Sequence, residues 1–439
     1  MRAASVRKLV TVAAALVGAR LVGAALNFLT QVLLAKWMGV EELGIYVLAT
    51  ALGGVLAIAC GVGFSATTAR FVSQYRVDDQ PDLLLGFVHV GRRTLATTSV
   101  VVVGGLVAAI MLVPGLVPPQ LAVPLTIGAT TGPALGALRL GGALANVWRR
   151  HFLAFLPDLL WRPVLLVAAV SVLAVVTRLS ASAVLLANLA CVLTVTTLQA
   201  VLLWREELVP PGTRPRETDA RLWRQSGWPL VVLILLSTIL IETDVLLLGP
   251  LLPPDDLAVF NMCFRLTAFV GFCVYAVYQV VTPDLSDAFA RRDRASAQLA
   301  ISRANVVCVG VGVLGLVGLA TFGKAILGMI GPKFTRGWLC LILLGALQLI
   351  GAAFGPAAQL LTVGNQQNRC VIALSCGLVV LAGLNTILVP RFGLEGASLA
   401  VLIATAFWSA WLWLVARQHV GFDVSIFSPM LPLPRKPVQ

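Results

Sequence analysis

Runs of about twenty apolar residues recur along the whole chain, and that is the length an α-helix needs to cross the hydrocarbon of a bilayer. Twelve such runs predict twelve membrane-spanning helices: 9–36, 43–67, 94–113, 121–138, 157–177, 181–203, 226–249, 257–281, 304–322, 337–362, 370–389 and 394–416. The first follows Arg2, Arg7 and Lys8, as the apolar stretch of a signal peptide would. It is too long for one, lacks a small-residue cleavage site and is followed by eleven more spans, so it reads as a retained helix. The fold class expected is an all-α polytopic membrane protein, with two six-helix lobes around a central cavity.

The longest polar break is 204–225, rich in Pro and charge, and it divides the spans six and six. The expected organisation is a lobe at 1–203, a cytoplasmic linker at 204–225, a second lobe at 226–418 and a cytoplasmic tail at 419–439. The halves also resemble each other. Glu42-Leu43-Gly44-Ile45-Tyr46 aligns with Asp256-Leu257-Ala258-Val259-Phe260 at an offset of 214, each stretch opening the second helix of its half. With an even number of spans per half, such a repeat runs parallel, a design that places a substrate site between two rocking bundles.

Composition changes the picture only by removing alternatives. The 439 residues are 59% hydrophobic and 12% charged, with a mean hydropathy of +0.94. Soluble domains carry about 25% charged residues, so a soluble enzyme, a disordered chain and a disulfide scaffold are excluded. The net charge of +13 does not indicate nucleic acid, because the basic residues cluster between apolar runs. With the N-terminus inside, 24 of the 32 lysines and arginines fall on internal segments and six on external ones, which puts both termini in the cytoplasm. The external loops are short and leave no room for a folded outer domain. Eight scattered cysteines without CxxC spacing read as core thiols, and three distant histidines form no metal pair. No GxxxxGK[ST] loop is present, so neither ATP hydrolysis by this chain nor any cofactor is expected.

Polar side chains inside the apolar runs carry the candidate chemistry, since each must face protein or a wet cavity. Arg20, Asn27 and Gln31 fall within roughly 20° of one direction on the first helix, taking about 100° per residue. Asn261, Arg265, Tyr275 and Gln279 lie within about 40° of one face of the eighth. The first group reads either as cavity lining or as a clasp inside one bundle; on the eighth helix Arg265 reads either as cavity lining or as a structural ion pair with a carboxylate of the seventh. A guanidinium there suits a phosphate or carboxylate, to which it donates in a bidentate way. Glu242 and Asp244 on the seventh helix are about 200° apart and cannot share a face. Asp244 is expected to partner an arginine or hold a coupling ion, with Glu242 facing another helix or the outer interface. Asn188 and Gln199 share a face of the sixth helix, Asp158 and Arg162 form an i,i+4 pair, and Glu41 and Glu42 stand at a turn where any polar residue would do.

Several stretches resemble one known family. Arg20 to Gly23, Leu33 to Tyr46 (LLAKWMGVEELGIY) and Thr68 to Val72 are similar to the first two helices of bacterial polysaccharide-export flippases, in the superfamily shared with lipid II flippases and multidrug extruders. Thr243 to Gly249 and Phe264 to Leu266 resemble that family's seventh and eighth helices. Phe322 to Phe334, Leu360 to Asn365 and Pro390 to Ser398 resemble its later turns. The resemblance implies a lipid-linked oligosaccharide carried across the bacterial inner membrane through a cavity between two six-helix lobes. Cavity cations would meet the pyrophosphate of a polyprenyl carrier, and Arg20 and Arg265 match basic positions of that type. Membrane lipids, and the polymerase and glycosyltransferases of the same pathway, are the partners implied. Two further readings stand beside it: a multidrug antiporter of the same fold, and a membrane glycosyltransferase or polymerase.

Overall fold

The computed structural model describes residues 22–113, 115, 117–148, 150–176, 179–205, 214–225, 245–290, 294–355, 357, 361, 367–419 and 425. Helices account for almost all of them, and no strand occurs among them. Contacts divide the chain into two compact units, 1–242 and 243–439. The first holds α1 (Val22–Met38), α2 (Val40–Gly61), α3 (Phe64–Val77), α4 (Pro81–Leu112), α5 (Pro119–Val147), α6 (His151–Val176) and α7 (Ala181–Arg205). The second holds α8 (Pro254–Ala290), α9 (Arg294–Ile330), α10 (Trp338–Phe354) and α11 (Gln367–His419), with a 3-10 turn at Pro332–Gly337 before α10.

Nine stretches among the described residues are long and apolar enough to cross a membrane, so the chain is a polytopic membrane protein. The 53-residue α11 is two spans in one: Gly393, at φ 54 and ψ −128, breaks it between the apolar runs 370–389 and 394–416. A residue with a Cβ rarely adopts that backbone, and glycine does so without penalty. The seventh span, expected over 226–249, lies mostly outside the described residues, as does the first half of 9–36.

Unit 1 is organised around α2. In its apolar window 61% of residues are buried, against 17% for α4, so α2 is the core helix and α4 presents most of its surface outward. Glycines set how closely α5 crosses it. A Cβ on Gly53 would stand 2.6 Å from the Gly128 carbonyl oxygen, one on Gly132 2.8 Å from Leu56 Cβ, and one on Gly136 3.1 Å from the Ala57 carbonyl oxygen. Gly128, Gly132 and Gly136 recur every four residues and form one stripe on α5. Without a hydrophobic drive between helices in lipid, close backbone approach at such stripes supplies much of the packing energy.

The apolar run 43–67 predicts one continuous helix, and the structure breaks it. α2 stops at Gly61, Val62 (φ 41, ψ 37) and Gly63 (φ 72, ψ 3) are both left-handed, and α3 starts at Phe64. Hydropathy cannot register such a break, because Val62 and Phe64 are as apolar as their neighbours. Thr98 on α4 donates a 2.6 Å hydrogen bond to the Cys60 carbonyl oxygen beside the break. A neighbouring hydroxyl is how membrane helices re-satisfy a backbone group that a kink releases.

Residues 214–225 pack on the same end of unit 1. Trp223 is fully buried between Phe87, at 5.5 Å between ring centroids, and Tyr75, at 6.2 Å. The Tyr75 hydroxyl in turn donates to Asp219 Oδ2 at 3.3 Å. The Arg216 amide donates to the Asp82 carbonyl oxygen at 3.0 Å, and His89 Nε2 lies 3.7 Å from Glu217. At the opposite end of α2, the Glu42 carboxylate accepts the amide N–H of Ala181, the first residue of α7. A carboxylate there favours the positive end of the helix dipole, so Glu42 has a more particular role than a plain polar turn.

In unit 2, α8 begins 214 residues after α2, the offset of the sequence repeat. Leu257, Val259 and Phe260 are buried as Leu43, Ile45 and Tyr46 are in unit 1. The carboxylates find different partners. Asp256 pairs with Arg336 at 3.0 Å, just before α10, where Glu42 caps a helix.

Candidate functional site

On α1 the structure places Asn27 and Gln31 one turn apart. The Asn27 amide nitrogen donates to the Gly23 carbonyl oxygen at 2.9 Å, so part of its capacity is spent on its own helix. Gln31 is buried and its Oε1 has no hydrogen-bond donor. A Cβ on Gly23 would stand 2.9 Å from the Leu159 carbonyl oxygen, so α1 runs hard against the π-helical turn Pro157–Trp161 of α6. Arg20, the cation expected on this face, lies outside the described residues.

On α8, Asn261 is 5% exposed and its Nδ2 has no acceptor. Arg265, half-buried, follows one helical turn later and is engaged within the structure. Asn261 and Arg265 thus place hydrogen-bond donors on adjacent turns of one face. The helix is closely packed around this stretch. Cys263 Sγ donates to the Gly337 carbonyl oxygen at 3.4 Å, and a Cβ on Gly271 would stand 2.7 Å from Gln348 Oε1. Tyr275 and Gln279 fall on α8, but their side chains are outside the described set, and Glu242 and Asp244 are outside it altogether.

The other polar residues named from sequence have local roles. Gln199 Nε2 donates to the Leu153 carbonyl oxygen at 3.0 Å, joining α7 to α6, and Asn188 is buried on the same helix. Asp158 and Arg162 form the expected i,i+4 ion pair at 3.0 Å. Among the described residues no group of three His, Cys, Asp or Glu side chains could hold a metal.

The sequence reading passed over Asn385. It is 1% exposed, and neither its Oδ1 nor its Nδ2 has a partner. Ala373, Gly377, Leu381, Asn385 and Val389 are all buried at four-residue intervals on α11, so the amide occupies an otherwise apolar interior stripe. That spacing was open to view in the sequence, as one Asn on the small-residue face of a span. Thr405, later in the same helix, also has a buried hydroxyl without a partner. Buried polar atoms in native proteins are nearly always paired, which sets Gln31, Asn261, Asn385 and Thr405 apart from the packing groups.

The profile of a family described as polysaccharide biosynthesis protein matches residues 9–289. No curated protein sequence matches the chain. Among solved structures it is similar to an inward-facing multidrug resistance MATE family transporter of the MOP superfamily, at 13% identity and a TM-score of 0.75, covering 90% of this chain and 94% of that one. It is similar also to the lipid II flippase MurJ in an inward closed conformation, at 15% identity and a TM-score of 0.70, covering 91% and 86%. A MOP superfamily transporter from Pyrococcus furiosus Vc1, whose binding pocket is described as reversed in polarity, matches at 12% identity and a TM-score of 0.65, covering 92% and 94%.

Proposed function

The chain belongs to the polysaccharide biosynthesis protein family, and on that premise we propose that it moves a polyprenyl-pyrophosphate-linked oligosaccharide from the cytoplasmic to the outer leaflet of the bacterial inner membrane. Its fold is that of MOP superfamily transporters. Transport of this kind makes and breaks no bond. Alternating access between two lobes presents the headgroup to either side while the lipid tail stays in the bilayer.

The observation that carries the reading is the donor pair on α8: a buried Asn261 amide without an acceptor, one turn from the Arg265 guanidinium. A pyrophosphate stripped of water in hydrocarbon is prohibitively unfavourable unless donors replace its hydration. Guanidinium groups do this in a planar, bidentate way. Arg20, Asn27 and Gln31 of the first apolar run would add polar contacts to the headgroup, and Tyr275 and Gln279 would meet sugar hydroxyls. Asp244 and Glu242 would serve as counter-ions or as the coupling-ion site. Membrane lipids surround the protein, both termini face the cytoplasm, and the polymerase and glycosyltransferases of the pathway act before and after it.

The test is a protection assay in proteoliposomes holding a fluorescent short-chain polyprenyl-pyrophosphate oligosaccharide. Wild-type protein should expose the inner-leaflet label to an impermeant quencher. Arg20→Ala and Arg265→Ala should each slow exposure at least tenfold with unchanged insertion, and the Lys variants should recover part of the rate. Exposure no faster than in empty vesicles, with efflux of a lipophilic cation instead, would replace this reading with drug extrusion.

A further inference from the structure

Residues 43–67 form an uninterrupted apolar run, yet the backbone turns left-handed in its midst at Val62 and Gly63. For glycine that conformation is free. For a β-branched residue it is a genuine outlier, and it persists only where the surroundings over-determine it. Three features surround it. Thr98 holds the Cys60 carbonyl oxygen that a continuous helix would give to the Phe64 amide. α3 is tied down beyond the bend by the Arg76 guanidinium on the Val147 carbonyl oxygen, at 2.8 Å, and by Tyr75 on Trp223. Inside the bend lies a cavity of about 70 Å³, whose lining includes Gly61, Gly63, Ser65, Gly91, Gly136 and Arg139.

We propose that the Val62–Gly63 elbow is a two-state hinge, whose other state is one straight helix running from Val40 to Val77. The bent form is held by the Thr98 bond and the anchored α3. Straightening removes two left-handed residues, returns the Cys60 carbonyl to the Phe64 amide and releases the Thr98 hydroxyl. Straightening also withdraws Phe64, Phe71 and Tyr75 from their buried cluster, so the straight form is the minor one. This inference concerns unit 1 alone and is independent of the substrate.

Double electron–electron resonance on full-length protein tests it, with spin labels at Glu41 and Val77, both exposed, in a background without native cysteines. A straight helix would separate the two positions by about 54 Å at 1.5 Å per residue, and the bent form brings them closer. Wild type should show a major short distance and a minor long one. Gly63→Ala, penalised only in the left-handed bend, should enlarge the long population roughly tenfold. Thr98→Val should shift it the same way and Thr98→Ser should restore it, whereas Val62→Gly should abolish it. A single short distance untouched by Gly63→Ala and Thr98→Val would overturn the hinge. Should Gly63→Ala fail to fold, the Thr98 pair decides.

Discussion

The indole Nε1 of Trp223 donates a 2.8 Å hydrogen bond to the hydroxyl of Tyr75, across 148 residues of chain. Residues 214–225 are therefore seated on the first unit through a buried aromatic side chain. Phe64, Phe71 and Phe87 complete the socket.

Trp223→Ala should destabilise unit 1 by about 3–5 kcal/mol, the usual effect of truncating a buried Trp. Tyr75→Phe keeps the ring and leaves the indole N–H without its acceptor, so a loss of about 1–3 kcal/mol is expected. Thermal unfolding of purified protein in detergent, with limited proteolysis between 205 and 226, measures both. Cleavage no faster in Trp223→Ala than in wild type would show that the segment is held elsewhere.

Burial of the same tyrosine makes stability fall at high pH. Burial chiefly holds the Tyr75 hydroxyl above its ordinary value of about 10.0; the negative Asp219 adds to the effect and the Trp223 hydrogen bond opposes it. Because the folded-state value is raised, the unfolded chain loses its proton first. The contribution is intact below about pH 10 and declines as pH rises through the folded value. Wild type should lose thermal stability between about pH 9 and pH 11 more steeply than Tyr75→Phe; parallel slopes would refute the linkage.

Gly132→Leu should drive the α2–α5 crossing apart, because a Cβ there already stands 2.8 Å from Leu56 Cβ. Overpacking of this kind costs about 1–3 kcal/mol or more. Gly104→Leu on α4, where added atoms meet open space, is the matched control. Membrane yield and thermal stability should fall for the first substitution and hold for the second.

Asn385→Leu removes two buried polar atoms that have no partner in this structure. If the amide has no partner in any state, the apolar replacement should be neutral or stabilising. If it meets a polar group during transport, Asn385→Leu should slow transport at unchanged or raised thermal stability, and Asn385→Gln should recover part of the rate. Loss of stability in Asn385→Leu contradicts both.

Sequence carried the spans well, because burial in lipid writes itself as apolar runs. Asn261, Arg265, Gln31 and Asn27 were visible for the same reason, each a polar residue where hydrocarbon demands an explanation. Which of them keep unspent hydrogen bonds depends on neighbours from other helices, and no periodicity encodes that. The elbow escaped notice because Val62 is apolar and its unusual feature is a dihedral angle. Trp223 escaped because its socket comes from residues 64 to 87 while it sits in a Pro-rich, charged stretch. The glycine stripe 128–132–136 was legible at four-residue spacing, but its partner, Gly53 on α2, was not.

The Glu42 carboxylate on the Ala181 amide has a consequence for assembly. During synthesis residue 42 enters the bilayer long before residue 181 leaves the ribosome. The sixth crossing thus arrives to a waiting acceptor, and its first turn is completed by a group laid down four crossings earlier. The first half of the protein is closed by its last strand of chain, like an arch by its keystone, before the second half has been made.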